Sequence, residues 1–112
     1  MKQHISDKAE VSIDFPEKSY YGTFSRRSSF ELKTDQHGVH IDLQRDTGEK
    51  RHVGFHIHYH LLADLLTAIG AGLKKQKDLE QIERELLTEA AHALSAALDA
   101  KSKAKSKAKS KR

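Results

Sequence analysis

The sequence predicts an α+β fold: an antiparallel β-meander of four or five strands followed by two α-helices and a disordered lysine-rich tail. Three observations carry that expectation. Apolar and polar residues alternate through the first half of the chain, the apolar spacing changes to about 3.6 after Ile57, and the last twelve positions, KSKAKSKAKSKR, hold no apolar side chain larger than alanine. The boundaries follow from these shifts. A small α+β domain is expected over 1–100, with its sheet over about 9–58 and helices over about 60–73 and 79–100, and a polybasic tail over 101–112. A chain of 112 residues has room for one modest core.

Ala9, Val11, Ile13 and Phe15 alternate with Glu10, Ser12 and Asp14, the period of a half-buried strand, and Pro16 ends it. The next strand runs from Ser19 to Ser25 with Tyr20, Tyr21 and Phe24 around Gly22, a glycine expected to mark a bulge or a close backbone approach. Phe30, Leu32 and Thr34 alternate with Glu31 and Lys33, and Val39, Ile41 and Leu43 with His40, Asp42 and Gln44. The turn residues Asp35-Gln36-His37-Gly38 between them pair Thr34 with Val39, Leu32 with Ile41 and Phe30 with Leu43, which keeps the apolar side chains on one face. Asp46-Thr47-Gly48 is then expected as a three-residue loop with its glycine in the left-handed conformation, pairing Ile41 with Val53 and Val39 with Phe55.

Leu61, Leu62, Leu65, Leu66, Ile69 and Leu73 form one stripe of an amphipathic helix, weakened near its end by Gly70 and Gly72. Asp78 is expected to cap a second helix, with Gln81 as its reciprocal partner. The stripe of that helix is Leu79, Ile82, Leu86, Ala90, Ala93 and Ala97, widened by Leu87, Leu94 and Leu98. One small sheet offers too little surface for two helices of this width. A homodimer packed through the second helix answers that, as does a helical hairpin laid on one sheet face within a monomer.

Charge is segregated. Seven of the 20 basic residues (Lys101, Lys103, Lys105, Lys107, Lys109, Lys111 and Arg112) lie in the last twelve positions, which leaves 13 against all 16 acidic residues before them, a balance of −3. The tail composition resembles the lysine, alanine and serine tails of linker histones and of some bacterial histone-like proteins. That resemblance implies binding to the phosphate backbone of DNA or RNA without a sequence preference. An extended twelve-residue segment reaches roughly 40 Å. Full neutralisation of its seven charges on duplex DNA would give a slope of log affinity against log salt of roughly −6. A solubility tail and a lipid-surface tail are the competing readings, and the absence of a lipidation motif or apolar anchor disfavours the membrane. Arg26 and Arg27, with Lys50 and Arg51, are expected to add a basic rim at loop ends. The run from Phe24 to Phe30 places Arg26-Arg27 before Ser28-Ser29, a pattern that basophilic kinases accept and that also describes a charged turn.

Four of the eight histidines fall between His52 and His60. His52, His56 and His58 project opposite to Val53, Phe55 and Ile57, and His40 and Asp42 on the neighbouring strand share their face. In the expected register Asp42 stands opposite His52 and, on its other side, Glu31, with Lys33 beside His40. His40, Asp42, His52, His56 and His58 are therefore candidate ligands for zinc, nickel or copper, since imidazole suits all of these ions. A solvated sheet face with ordinary surface histidines accounts for the same pattern. In architecture, a curved sheet followed by a helix resembles the Whirly type of single-strand DNA binder, which would assign this face to nucleic acid. Glu31, Asp42 and a lack of interleaved aromatics speak against that assignment.

Other classes are excluded or disfavoured. The chain has no cysteine, and so no disulfide or thiolate site. No secretory leader, apolar span of membrane length, glycine-rich phosphate loop or nucleophile elbow occurs, and no spacing singles out an acid and base pair. The sequence thus points to a non-enzymatic, cytoplasmic protein, nucleoid-associated if DNA is its partner, that binds nucleic acid through its tail and dimerises through its domain. A metal-binding or metal-sensing protein and a protein interaction adaptor are the alternatives.

Overall fold

The computed structural model describes residues 2–46 and 51–110, with the backbone alone over 101–110. Six strands precede two helices: β1 (Lys2–His4), β2 (Ala9–Asp14), β3 (Ser19–Phe24), β4 (Ser28–Thr34), β5 (Gly38–Arg45), β6 (Arg51–His58), α1 (Tyr59–Lys75) and α2 (Gln81–Ser110). The α+β class holds. The strands divide into a four-stranded antiparallel sheet in the order β1-β4-β5-β6 and a separate two-stranded ribbon, β2-β3.

The meander is therefore confined to β4, β5 and β6. β3 does not continue it, because β1 occupies the free edge of β4, pairing Lys2 with Glu31 and His4 with Ser29. Three polar residues, Lys2-Gln3-His4, give no alternation from which such a strand is foreseen. In the ribbon, Pro16 and Glu17 form a two-residue loop closed by Phe15 and Lys18, whose backbone bonds measure 2.7 and 3.3 Å. The ladder from Ala9↔Phe24 to Asp14↔Ser19 is unbroken through Gly22. A Cβ at Gly22 would meet nothing closer than 3.6 Å, so the expected bulge or close approach is absent there.

β4 and β5 pair as the alternation dictates: Thr34↔Val39, Leu32↔Ile41 and Phe30↔Leu43. The turn between them is fixed by Asp35, whose Oδ1 accepts from the backbone N–H groups of His37 (2.8 Å) and Gly38 (2.9 Å). A close approach does occur at Gly38. A Cβ there would overlap the carbonyl oxygen of Ile57 and lie 2.8 Å from His58 Cα, so the position admits glycine alone.

β6 departs from the expected register by two residues. Ile41 faces Phe55, Leu43 faces Val53 and Val39 faces Ile57, and the ladder extends to Arg45↔Arg51, so the connection spans every residue from 46 to 50 rather than three. A slip of two leaves each side chain on its original face, which is why alternation does not exclude it. Of the expected loop, Thr47 and Gly48 lie outside the described residues, with Glu49 and Lys50.

The chain forms two compact units, residues 1–70 and 71–112. In the first, Tyr59 anchors the start of α1 to the β4–β5 turn: its N–H donates to His37 O (3.2 Å) and its hydroxyl to Asp35 O (2.7 Å). In the second, α2 is capped at Glu80 rather than Asp78. Glu80 N–H donates to Glu83 Oε1 and Glu80 O accepts from Arg84 N–H, both at 3.0 Å, whereas the Gln81 amide turns to Glu85. α2 also passes the expected end near Ala100. The helical backbone is continuous through Ser110, with neither proline nor glycine in the run.

Burial is sparse. Among the described residues Phe24 and Val39 are the buried hydrophobic ones, while Leu32 and Phe55 on the sheet are exposed. α1 has no buried residue. Every residue of α2 from 81 to 100 is exposed, the stripe residues Ile82, Leu86, Leu87, Leu94 and Leu98 included. No helix among the described residues is long and apolar enough to cross a membrane.

Candidate functional site

The polar face of β5 and β6 brings His40 directly opposite His56. Their rings stack with centroids 3.8 Å apart and planes inclined by 11°. Both rings turn one nitrogen toward the same oxygen: His40 Nε2 donates to Asp35 Oδ2 at 2.7 Å, and His56 Nε2 lies 3.8 Å from that atom. Since Oδ1 of Asp35 is held by the turn's two backbone donors, the carboxylate is oriented before any ligand arrives. The bond from His40, followed by the two backbone N–H groups, holds the Asp35 carboxyl far below the usual carboxylate range.

The other candidate ligands do not join this group. His52 faces Gln44 and Asp42 faces Gly54, a consequence of the two-residue register difference. The expected Asp42–His52 partnership survives diagonally, with His52 Nε2 donating to Asp42 Oδ1 at 2.9 Å. Gly54 makes room for it, since a Cβ there would lie 2.9 Å from that oxygen. His58 adjoins His56, with centroids 4.8 Å apart and planes tilted by 51°, and its other neighbour is His37 at 6.1 Å. The five expected ligands thus separate into a His40–His56 pair completed by Asp35, an Asp42–His52 pair, and His58 at the margin of the first.

Asp35 is the residue that sequence reasoning missed. The turn chemistry of Asp35-Gln36-His37-Gly38 accounts for one of its oxygens, and the second is left for the histidines. The available signal was its position: a β4–β5 turn closed one pair beyond Thr34↔Val39 places residue 35 at the end of the strand pair that carries His40. Beyond this cluster, Lys33 pairs with Glu31 at 3.2 Å and lowers its pKa, so the expected cross-strand neighbours Glu31, Asp42, Lys33 and His40 share the face as foreseen.

The basic residues are dispersed. Arg26 and Arg27 are exposed in a tight turn closed by Ser28 N–H to Ser25 O at 2.8 Å. Ser28 and Ser29 are only 2% and 4% exposed, which favours the charged-turn reading over a kinase site. Arg51 is not simply a rim charge, because its Nη1 donates to Tyr21 O at 2.9 Å, while Arg45 Nη2 donates to Thr23 O at 2.9 Å. These two guanidinium groups tie the ribbon to the main sheet. Lys50, Lys111 and Arg112 lie outside the described residues, and Lys101, Lys103, Lys105, Lys107 and Lys109 lie where the backbone alone is described.

The ribbon also displays aromatics that the sequence left without a facing. Phe15, Tyr20 and Tyr21 are more than half exposed, and Phe15 and Tyr20 meet edge to face at 6.2 Å. They belong to β2-β3 and not to the histidine face.

No protein-family model, curated protein or solved structure matches the chain, so the reading of its function rests on the residues themselves.

Proposed function

We propose that this protein is a non-enzymatic homodimer that associates with nucleic acid through its C-terminal basic segment, without sequence specificity. The observation that carries this reading is the segregation of charge: seven basic residues and no acidic one after Asp99, against a net acidic body. Phosphate contacts by such a segment position a protein on a strand without reading bases. Arg26 and Arg27, exposed in their turn, add to it.

A helical backbone over 101–110 shortens the span of those ten residues to about 15 Å, from roughly 35 Å in an extended chain. Dimerisation restores reach, because two segments on one particle engage a common strand at high effective concentration. The exposed stripes of α1 and α2 support the dimer. The setting is cytoplasmic, at the nucleoid if DNA is the partner.

Electrophoretic or anisotropy titration of DNA and RNA by the full chain and by a chain ending at Ala100 tests the proposal. The full chain is expected to bind with a steep salt dependence and the shortened one to lose most of its affinity. Equal affinity of the two would sink it.

A further inference from the structure

The geometry points to a binding site for a divalent late first-row transition ion, zinc or nickel, formed by Asp35, His40 and His56. This inference is independent of nucleic-acid binding. One oxygen and one nitrogen from each histidine lie within 4.8 Å of one another. Around a tetrahedral ion with bonds of about 2.0–2.1 Å, ligand atoms stand about 3.3 Å apart. The 2.7 Å and 3.8 Å separations from Asp35 Oδ2 to the two imidazole nitrogens bracket that value.

Three features make this more than a chance grouping of polar side chains. His40 and His56 are a directly opposed pair on adjacent strands, so the sheet fixes the spacing of their Cβ atoms. Both present Nε2 to the same carboxylate oxygen. That carboxylate is held by His37 N–H and Gly38 N–H through its other oxygen, the arrangement by which an outer set of hydrogen bonds orients a metal ligand. For an ion to bind, the proton that His40 Nε2 directs at Asp35 moves to Nδ1, so that the neutral imidazole offers its Nε2 lone pair, and the stacked His40 and His56 rings rotate to aim their nitrogens at one point. Two imidazoles and one carboxylate with no sulfur suit zinc or nickel rather than calcium or magnesium. Three protein ligands leave the fourth position to solvent.

The bound ion would join the β4–β5 turn to β6. That turn also holds Tyr59 at the start of α1 through Asp35 O and His37 O. The site is therefore expected to stiffen the junction between sheet and helix.

The test is titration of the full chain, purified without a histidine-affinity step, with zinc and with nickel, read by native mass spectrometry and calorimetry. Wild type is expected to take up one ion per chain and to melt at a higher temperature with zinc. His40→Gln and His56→Gln are each expected to weaken binding at least tenfold and to abolish the thermal shift, while His52→Gln, in the neighbouring pair, retains both. Circular dichroism establishes that each variant is folded. Absence of saturable uptake by wild type overturns the site, as does a His52→Gln variant impaired as much as His56→Gln.

Discussion

Asp35 performs two tasks with its two oxygens, and both favour its ionised form. Oδ1 closes the β4–β5 turn and Oδ2 accepts from His40. Its folded pKa is depressed, so it contributes stability that is fully present above the ordinary carboxylate pKa of about 3.9 and is lost as the pH falls from there toward the folded value. Thermal melts of wild type and Asp35→Asn at successive pH values check this. Wild type is expected to be the more stable above about pH 4, with the difference shrinking as the solution is acidified; a gap independent of pH would remove the ionised carboxylate as its cause. Glycine substitutions make a second prediction at this scale. Gly38→Ala forces a Cβ into the Ile57 carbonyl oxygen and is expected to cost more than about 2 kcal/mol. Gly54→Ala meets only a side-chain oxygen at 2.9 Å, which can rotate away, and should cost less. Gly22→Ala has room and is expected to be near neutral. Urea denaturation of the three variants gives the order, and a Gly22→Ala cost equal to that of Gly38→Ala would contradict it.

At the scale of elements, what could be read from the sequence depended on whether the error changes a face. The β4–β5 register followed from unambiguous alternation on both sides of the short Asp35-Gln36-His37-Gly38 turn, which selects one of the registers that share this facing. The β5–β6 register did not, because a slip of two preserves every facing. The histidine face was legible for the same reason, yet the membership of its clusters was not, as pairing along a face depends on the register that alternation leaves open. β1 was illegible because three polar residues at a sheet edge bury nothing. For α2, Asp78 with Gln81 and Glu80 with Glu83 are both plausible caps at the same spacing, and the structure uses the second. Glu83→Ala is accordingly expected to destabilise α2 by about 0.5–1 kcal/mol, whereas Gln81→Ala, which loses only an exposed bond to Glu85, should have a smaller effect. Denaturant unfolding followed by helical circular dichroism separates the two, and the reverse order would restore Asp78 as the cap.

For the whole molecule, the decisive quantity is how little apolar surface the single chain buries. Two buried hydrophobic residues, Phe24 and Val39, stand among the described residues against an exposed set that includes Leu61, Leu65, Leu66 and Ile69 of α1 and Ile82, Leu86, Leu87, Leu94 and Leu98 of α2. Each ordered residue costs about 1–2 kcal/mol of backbone entropy, and each fully buried large aliphatic side chain returns about 1.5–3 kcal/mol, so a chain that leaves its stripes in water has little to offset the cost of folding. In the proposed homodimer, a second copy supplies the missing cover symmetrically. In the proposed dimer, Ala90, Ala93 and Ala97 of the α2 stripe are small enough for two helices to approach closely, with Leu86 and Leu94 in the seam. If folding and association are one process, the melting temperature of wild type must rise with protein concentration. Leu86→Asp, which places a charge in that seam, must then yield a smaller sedimenting species or an unfolded chain. A melting temperature constant over a hundredfold concentration range, together with a monomer mass for wild type, would show that the stripes meet something other than a second copy of this chain.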